Sequence, residues 1–92
     1  MTSEGHPSAR LQRALAARNL TAAEQAASEL AFVPLAQARA LVELYAEHGD
    51  AKYERAALKY LSRYMTEGKP SLADVAQVAA ILAERNLIMR GL

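Results

Sequence analysis

Cysteine is absent from this 92-residue chain, which excludes disulfides and thiolate metal sites and removes any need for an oxidising compartment. Tryptophan is also absent and phenylalanine occurs once, at Phe32, so the aromatic volume for a core has to come from four tyrosines. Glycine is scarce: positions 5, 49, 68 and 91 never cluster, which excludes a phosphate-cradling loop. No apolar run approaches the roughly 20 residues that a membrane span needs. The first residues lack the charged-then-apolar order of an export signal. The expectation is a soluble cytoplasmic protein with no membrane partner. β-Branched residues are sparse and no alternating run is long, so nothing reads as a strand.

What is abundant is alanine. Hydrophobic residues make up 52% of the chain, but 21 of the 92 residues are Ala. Alanine is the best helix former and fills little volume. That composition predicts one all-α domain of about five closely approaching helices, arranged as antiparallel hairpins or as a compact orthogonal bundle. Residues 51–65 (AKYERAALKYLSRYM) hold three of the four tyrosines. At 100° per residue Tyr53, Ala57, Tyr60, Leu61 and Tyr64 share one face, with Leu58 and Met65 at its edge. This segment is expected to be the central helix.

Capping chemistry divides the chain. Residues 1–7 read as a flexible N-terminal tail, 8–86 as a single helical domain and 87–92 as an apolar tail. Ser8 is the expected cap of a first helix that Asn19 ends. Thr21 and Glu24 have capping-box spacing for a second helix, and Phe32 in the following link is expected to plug the space between helices. Pro34 opens a third helix that runs to about Glu47, and Gly49-Asp50 joins it to a fourth ending near Gly68. Ser71 with Asp74 caps a fifth helix, which Asn86 stops. Val78 and Ile81 widen its apolar arc, predicting burial on more than one side.

The pattern large apolar, Ala, small or acidic, basic, then Asn or Gly occurs at Leu15–Leu20, Tyr45–Asp50 and Leu82–Leu87. With Tyr45, Gly49-Asp50 and the small pair Ala56-Ala57, residues 35–66 resemble the tetratricopeptide class of helix-turn-helix repeats. The family's Trp and first-helix Gly are missing and the spacing is irregular. The resemblance implies a right-handed stack of helical hairpins with a protein- or peptide-binding role. A compact five-helix domain whose similarity reflects shared cap chemistry is the alternative.

No catalytic constellation stands out. His6 falls in the tail, and His48 sits where a basic group favours a helix C-terminus. Glu43 and Glu47 read as a solvated face, three convergent metal ligands cannot be assembled, and no cofactor is implied. Ser71–Ala79 looks like the first helix of a repressor-type helix-turn-helix, but the apolar pattern continues where a turn should be. Two candidate surfaces are left. Lys52, Arg55, Lys59 and Arg63 form a basic stripe on the face of the fourth helix opposite the tyrosines, suited to an anion or an acidic partner. Val78, Ile81, Leu87, Ile88, Met89 and Leu92 form a candidate apolar docking surface at the C-terminal helix. The expected function is a non-catalytic protein–protein interaction module, a small adaptor or regulatory subunit. It would bind another protein, or itself as a homodimer, through that helix or through a shallow groove lined by the third and fifth helices. A small nucleic-acid-associated protein using the basic stripe is the alternative.

Overall fold

In the computed structural model, which describes residues 6–89 and 91, the chain is all-α, with no strand among the described residues. The helices are α1 (Pro7–Ala16), α2 (Leu20–Ser28), α3 (Leu35–Glu47), α4 (Tyr53–Arg63) and α5 (Leu72–Met89); a π-helical turn, Tyr64–Gly68, follows α4. Of the expected N-terminal tail, residues 1–5 lie outside the described residues. His6 and Pro7 belong to the start of α1: His6 Nδ1 accepts from the Ser8 amide at 3.1 Å, so His6 is the cap and Ser8 is helical. Pro7 sits in the first turn, where its missing N–H leaves no bond unmade.

The ends of α1 and α3 are the same motif. The Asn19 amide reaches the Ala14 carbonyl (2.9 Å) and the Arg18 amide that of Leu15 (3.1 Å); Asp50 reaches Tyr45 (3.0 Å) and Gly49 reaches Ala46 (3.1 Å). Each pair satisfies carbonyls that the helix leaves open, and each needs one left-handed residue. That residue is Gly49 (φ 59°) in one case and Arg18 (φ 58°), not Asn19, in the other. Asn19 caps α2 instead, its Oδ1 accepting from the Ala22 amide at 3.1 Å. The capping box expected at Thr21 and Glu24 is therefore not used. After the π-helical turn the left-handed residue is Lys69 (φ 49°), while Gly68 leaves room for Tyr64, whose Cδ1 lies 3.2 Å from where a Cβ would be. Ser71 and Asp74 cap α5 reciprocally as the sequence suggests (3.1 and 3.4 Å). α5 does not stop at Asn86: Leu87, Ile88 and Met89 continue it, so the expected apolar tail is mostly helix. Leu92 lies outside the described residues.

α1 packs chiefly on α2 and α3 on α4, so sequence neighbours form the hairpins. α5 lies against α4 and α3. α3, rather than α4, is the central element, because it packs against all four other helices. The core is Leu11 and Ala14 of α1, Leu20, Ala23 and Ala26 of α2, Val42, Leu44 and Tyr45 of α3, Tyr53, Ala57 and Tyr60 of α4, and Leu82 of α5. The tyrosine face of α4 thus turns inward as its spacing requires. The fifth helix is not buried on several sides. Leu82 is its one buried residue, Val78 and Met89 are half-buried, and Leu72 is 85% exposed. The buried Tyr53 hydroxyl donates to the Leu82 carbonyl at 2.9 Å, and Arg85 pairs with Glu43 at 2.8 Å, so α5 is tied down along one narrow line.

Candidate functional site

On the side of α3 away from its contact with α5, α2 and α4 do not close over it. They leave a groove of about 790 Å³. Ala38, Leu41 and Val42 of α3 form its floor, with Ala27 of α2, Leu30 of the link after it and Ala56 of α4. Small alanines along α2 and α4 are what leave this space: no large side chain reaches across. Lys52, Arg55, Lys59 and Arg63 all line it. Steps of three and four residues keep them on one flank of α4, about 16 Å long at 1.5 Å per residue. The stripe is therefore not a solvated face remote from the aromatics. It is the rim of an apolar groove that Tyr45 and Tyr60 also line. The groove is bounded by α2, whereas the sequence reading expects one lined by the third and fifth helices.

The four cations fall into two kinds. Lys52 closes one end: its Nζ is 2.7 Å from Glu24 Oε2 and 5.9 Å from the centre of the Tyr45 ring. The Tyr45 hydroxyl donates to the same Glu24 oxygen at 2.7 Å. The ammonium first, then the phenol, hold the Glu24 carboxyl below its ordinary range, and the carboxylate in turn raises the Lys52 pKa. Burial, followed by the Glu24 hydrogen bond, pushes the Tyr45 hydroxyl upward. Arg63 closes the other end: its guanidinium lies 4.7 Å from the Phe32 ring centre and donates to both Glu67 oxygens, at 2.7 and 3.1 Å. The Glu67 hydrogen bonds raise the Arg63 pKa. Phe32 is no plug; it is 61% exposed and forms the end wall of the groove under Arg63. Between these ends stand Arg55 and Lys59. Both are exposed, and neither makes an ion pair or hydrogen bond with any other described residue.

The other sequence candidates are placed elsewhere. Ile81 (41%), Leu87 (50%) and Ile88 (67%) are exposed on α5, while Val78 and Met89 turn partly to the core, so the candidate apolar surface is divided. His48 is structural: its Nε2 lies 3.2 Å from the Arg18 carbonyl oxygen, to which the ring N–H donates. Glu47 pairs with Arg18. Glu43 sits between Arg39 (3.6 Å) and Arg85 (2.8 Å) and is a link between α3 and α5 rather than part of a solvated face. No cluster of three metal-ligating side chains occurs among the described residues, and no helix of the described residues is long and apolar enough to cross a membrane. Glu24, Tyr45 and Phe32 are the groove residues that sequence spacing does not single out, because their roles depend on how α2 and the 29–34 link meet α4. No protein-family model, curated protein or solved structure matches the chain.

Proposed function

We propose that this chain is a non-catalytic protein–protein interaction module whose groove docks an acidic amphipathic helix of a partner protein. One observation carries this reading: Arg55 and Lys59 have no counter-ion among the described residues and stand over an apolar floor, between end walls whose own charges are already matched. Exposed cations one turn apart favour a carboxylate, and the floor favours apolar side chains at helical spacing. A length of about 16 Å corresponds to three helical turns. The order of hairpins supports the same reading, as does the resemblance of residues 35–66 to tetratricopeptide repeats, a class that presents helical hairpins to peptides. The alternative, nucleic-acid binding along the stripe, is less well supported. Glu24 places a negative charge in the groove, and Tyr45 and Tyr60 are buried rather than presented for base stacking.

The test is fluorescence anisotropy with a labelled three-turn peptide carrying Glu residues beside an apolar i, i+3, i+7 stripe. The native chain binds it, and R55E/K59E weakens binding at least about tenfold, the loss of two charge pairs reversed into repulsions. A single-stranded oligonucleotide of equal charge is the comparison. If it binds more tightly than the peptide, and with steep salt dependence, the protein-docking reading is wrong.

A further inference from the structure

We infer that, when no other partner is present, the groove is occupied by the outward face of α5 from a second copy of the chain. This rests on the groove being a docking site for an acidic helix, because α5 itself presents such a face. At 100° per residue Asp74, Gln77, Ile81, Glu84 and Ile88 fall within an arc of about 80°. All five are exposed. The arc carries two carboxylates, two large apolar side chains and no cation.

Charge and spacing agree with the groove. Arg55 and Lys59 are one turn apart and can bracket a single carboxylate. Glu84 makes no ion pair with another described residue and lies between Ile81 and Ile88, three and four positions away. With Glu84 at Arg55 and Lys59, the isoleucines flank it along α5 and lie over the apolar floor. From Ile81 to Ile88 is about 10 Å of helix axis, inside the roughly 16 Å of the groove. The same chain's α5 cannot be the occupant. It is fixed to α3 and α4 through Leu82 and Arg85, with the acidic arc turned away from the molecule. Groove and helix are unlike surfaces, so a two-fold pair fills both grooves at once, while other arrangements close into larger rings or continue into open assemblies. A partner helix of higher affinity would compete with the second copy, so binding would be coupled to dissociation of the assembly.

Light scattering from about 10 µM to 1 mM chain, at low and high salt, reads the association directly. Two charge variants define the surfaces: R55E/K59E in the groove and Q77K/E84K on α5, all four positions being exposed. Circular dichroism verifies that each remains helical. The native chain is expected to rise above the 10.0 kDa of a single chain as concentration increases, less so in high salt. Each variant alone is expected to stay at single-chain mass. An equimolar mixture is expected to associate again, because an acidic groove then meets a basic helix and a basic groove meets an acidic one. A native chain that remains at 10.0 kDa throughout overturns the inference. So does a variant that associates as the native chain does, or a mixture that fails to regain mass. The Q77K/E84K variant retains the native groove, and the labelled peptide is measured on it as well. If it binds peptide while the native chain is monomeric, α5 is the wrong occupant and the groove reading stands. If it binds none, the groove reading itself fails.

Discussion

Glu24 on α2 ties three segments together: its carboxylate accepts from the neutral phenol of Tyr45 on α3 and pairs with the ammonium of Lys52 just before α4. Its carboxyl is held low by those two partners, that of Glu29 by Arg10 and Gln25, and that of Glu67 by Arg63. A lowered carboxyl pKa means that the unfolded chain takes up its proton first as the pH falls. The stability from these groups is therefore full above the ordinary carboxylate value of 4.5 and is lost as the pH drops through the lower folded values. At the alkaline side the sign reverses. Tyr45 and Tyr53 have raised pKa values, chiefly through burial, so the unfolded chain ionises first and stability falls as the pH rises past 10.0. Thermal melts at about pH 7, 4 and 3 should show Glu24→Gln less stable than the native chain at neutrality and less sensitive to acid. An acid limb unchanged by the substitution would mean that Glu24 is not a source of it. Spacing in the sequence places Lys52, Arg55, Lys59 and Arg63 on one flank of α4 but does not reveal this trio, since residues 24, 45 and 52 become neighbours only through the packing of α2 on α3.

At the scale of the element, helix ends were the most readable feature where one residue type has one role. Ser71 with Asp74, and Gly49 before Asp50, are where the pattern suggests. Asn19 was harder, because Asn suits both a left-handed helix end and an N-cap; the structure uses it as the cap and leaves Arg18 to adopt the strained conformation. Asn86 misleads for a related reason. It sits mid-helix because Met89, one turn on, still packs against the core, and burial outweighs a weak local stop. The groove left no trace in the pattern of any one helix: it opens over α3 where the alanines of α2 and α4 leave no large side chain to close it. Gly49 tests the end motif. A Cβ there would meet nothing within 4 Å, so Gly49→Ala reports the left-handed backbone alone. The expected cost is about 1 kcal/mol, a fall of about 4–8 °C in Tm by calorimetry. An unchanged Tm would show that the α3 end relaxes without that conformation.

For the whole molecule, the consequential asymmetry is between the two hairpins and α5. Tyr53 is 2% exposed and its hydroxyl bonds the Leu82 carbonyl, which also serves the ladder of α5 itself. Tyr53→Phe removes one bond without leaving that carbonyl unpaired, and should cost about 1 kcal/mol. The loss should be local. Hydrogen exchange of α5 amides should quicken relative to those of α1 and α2, whereas a uniform increase would mean that α5 opens only when the whole domain does.

The pairing of sequence neighbours also sets a timetable. α1 with α2, and α3 with α4, close loops of only a few residues, so both hairpins can form on the fast end of the folding scale. α5 packs on α4, its neighbour in sequence, but also on α3, so it docks on a surface that the second hairpin must first make. A chain emerging from synthesis therefore completes its basic groove before it completes the helix whose acidic face is its complement.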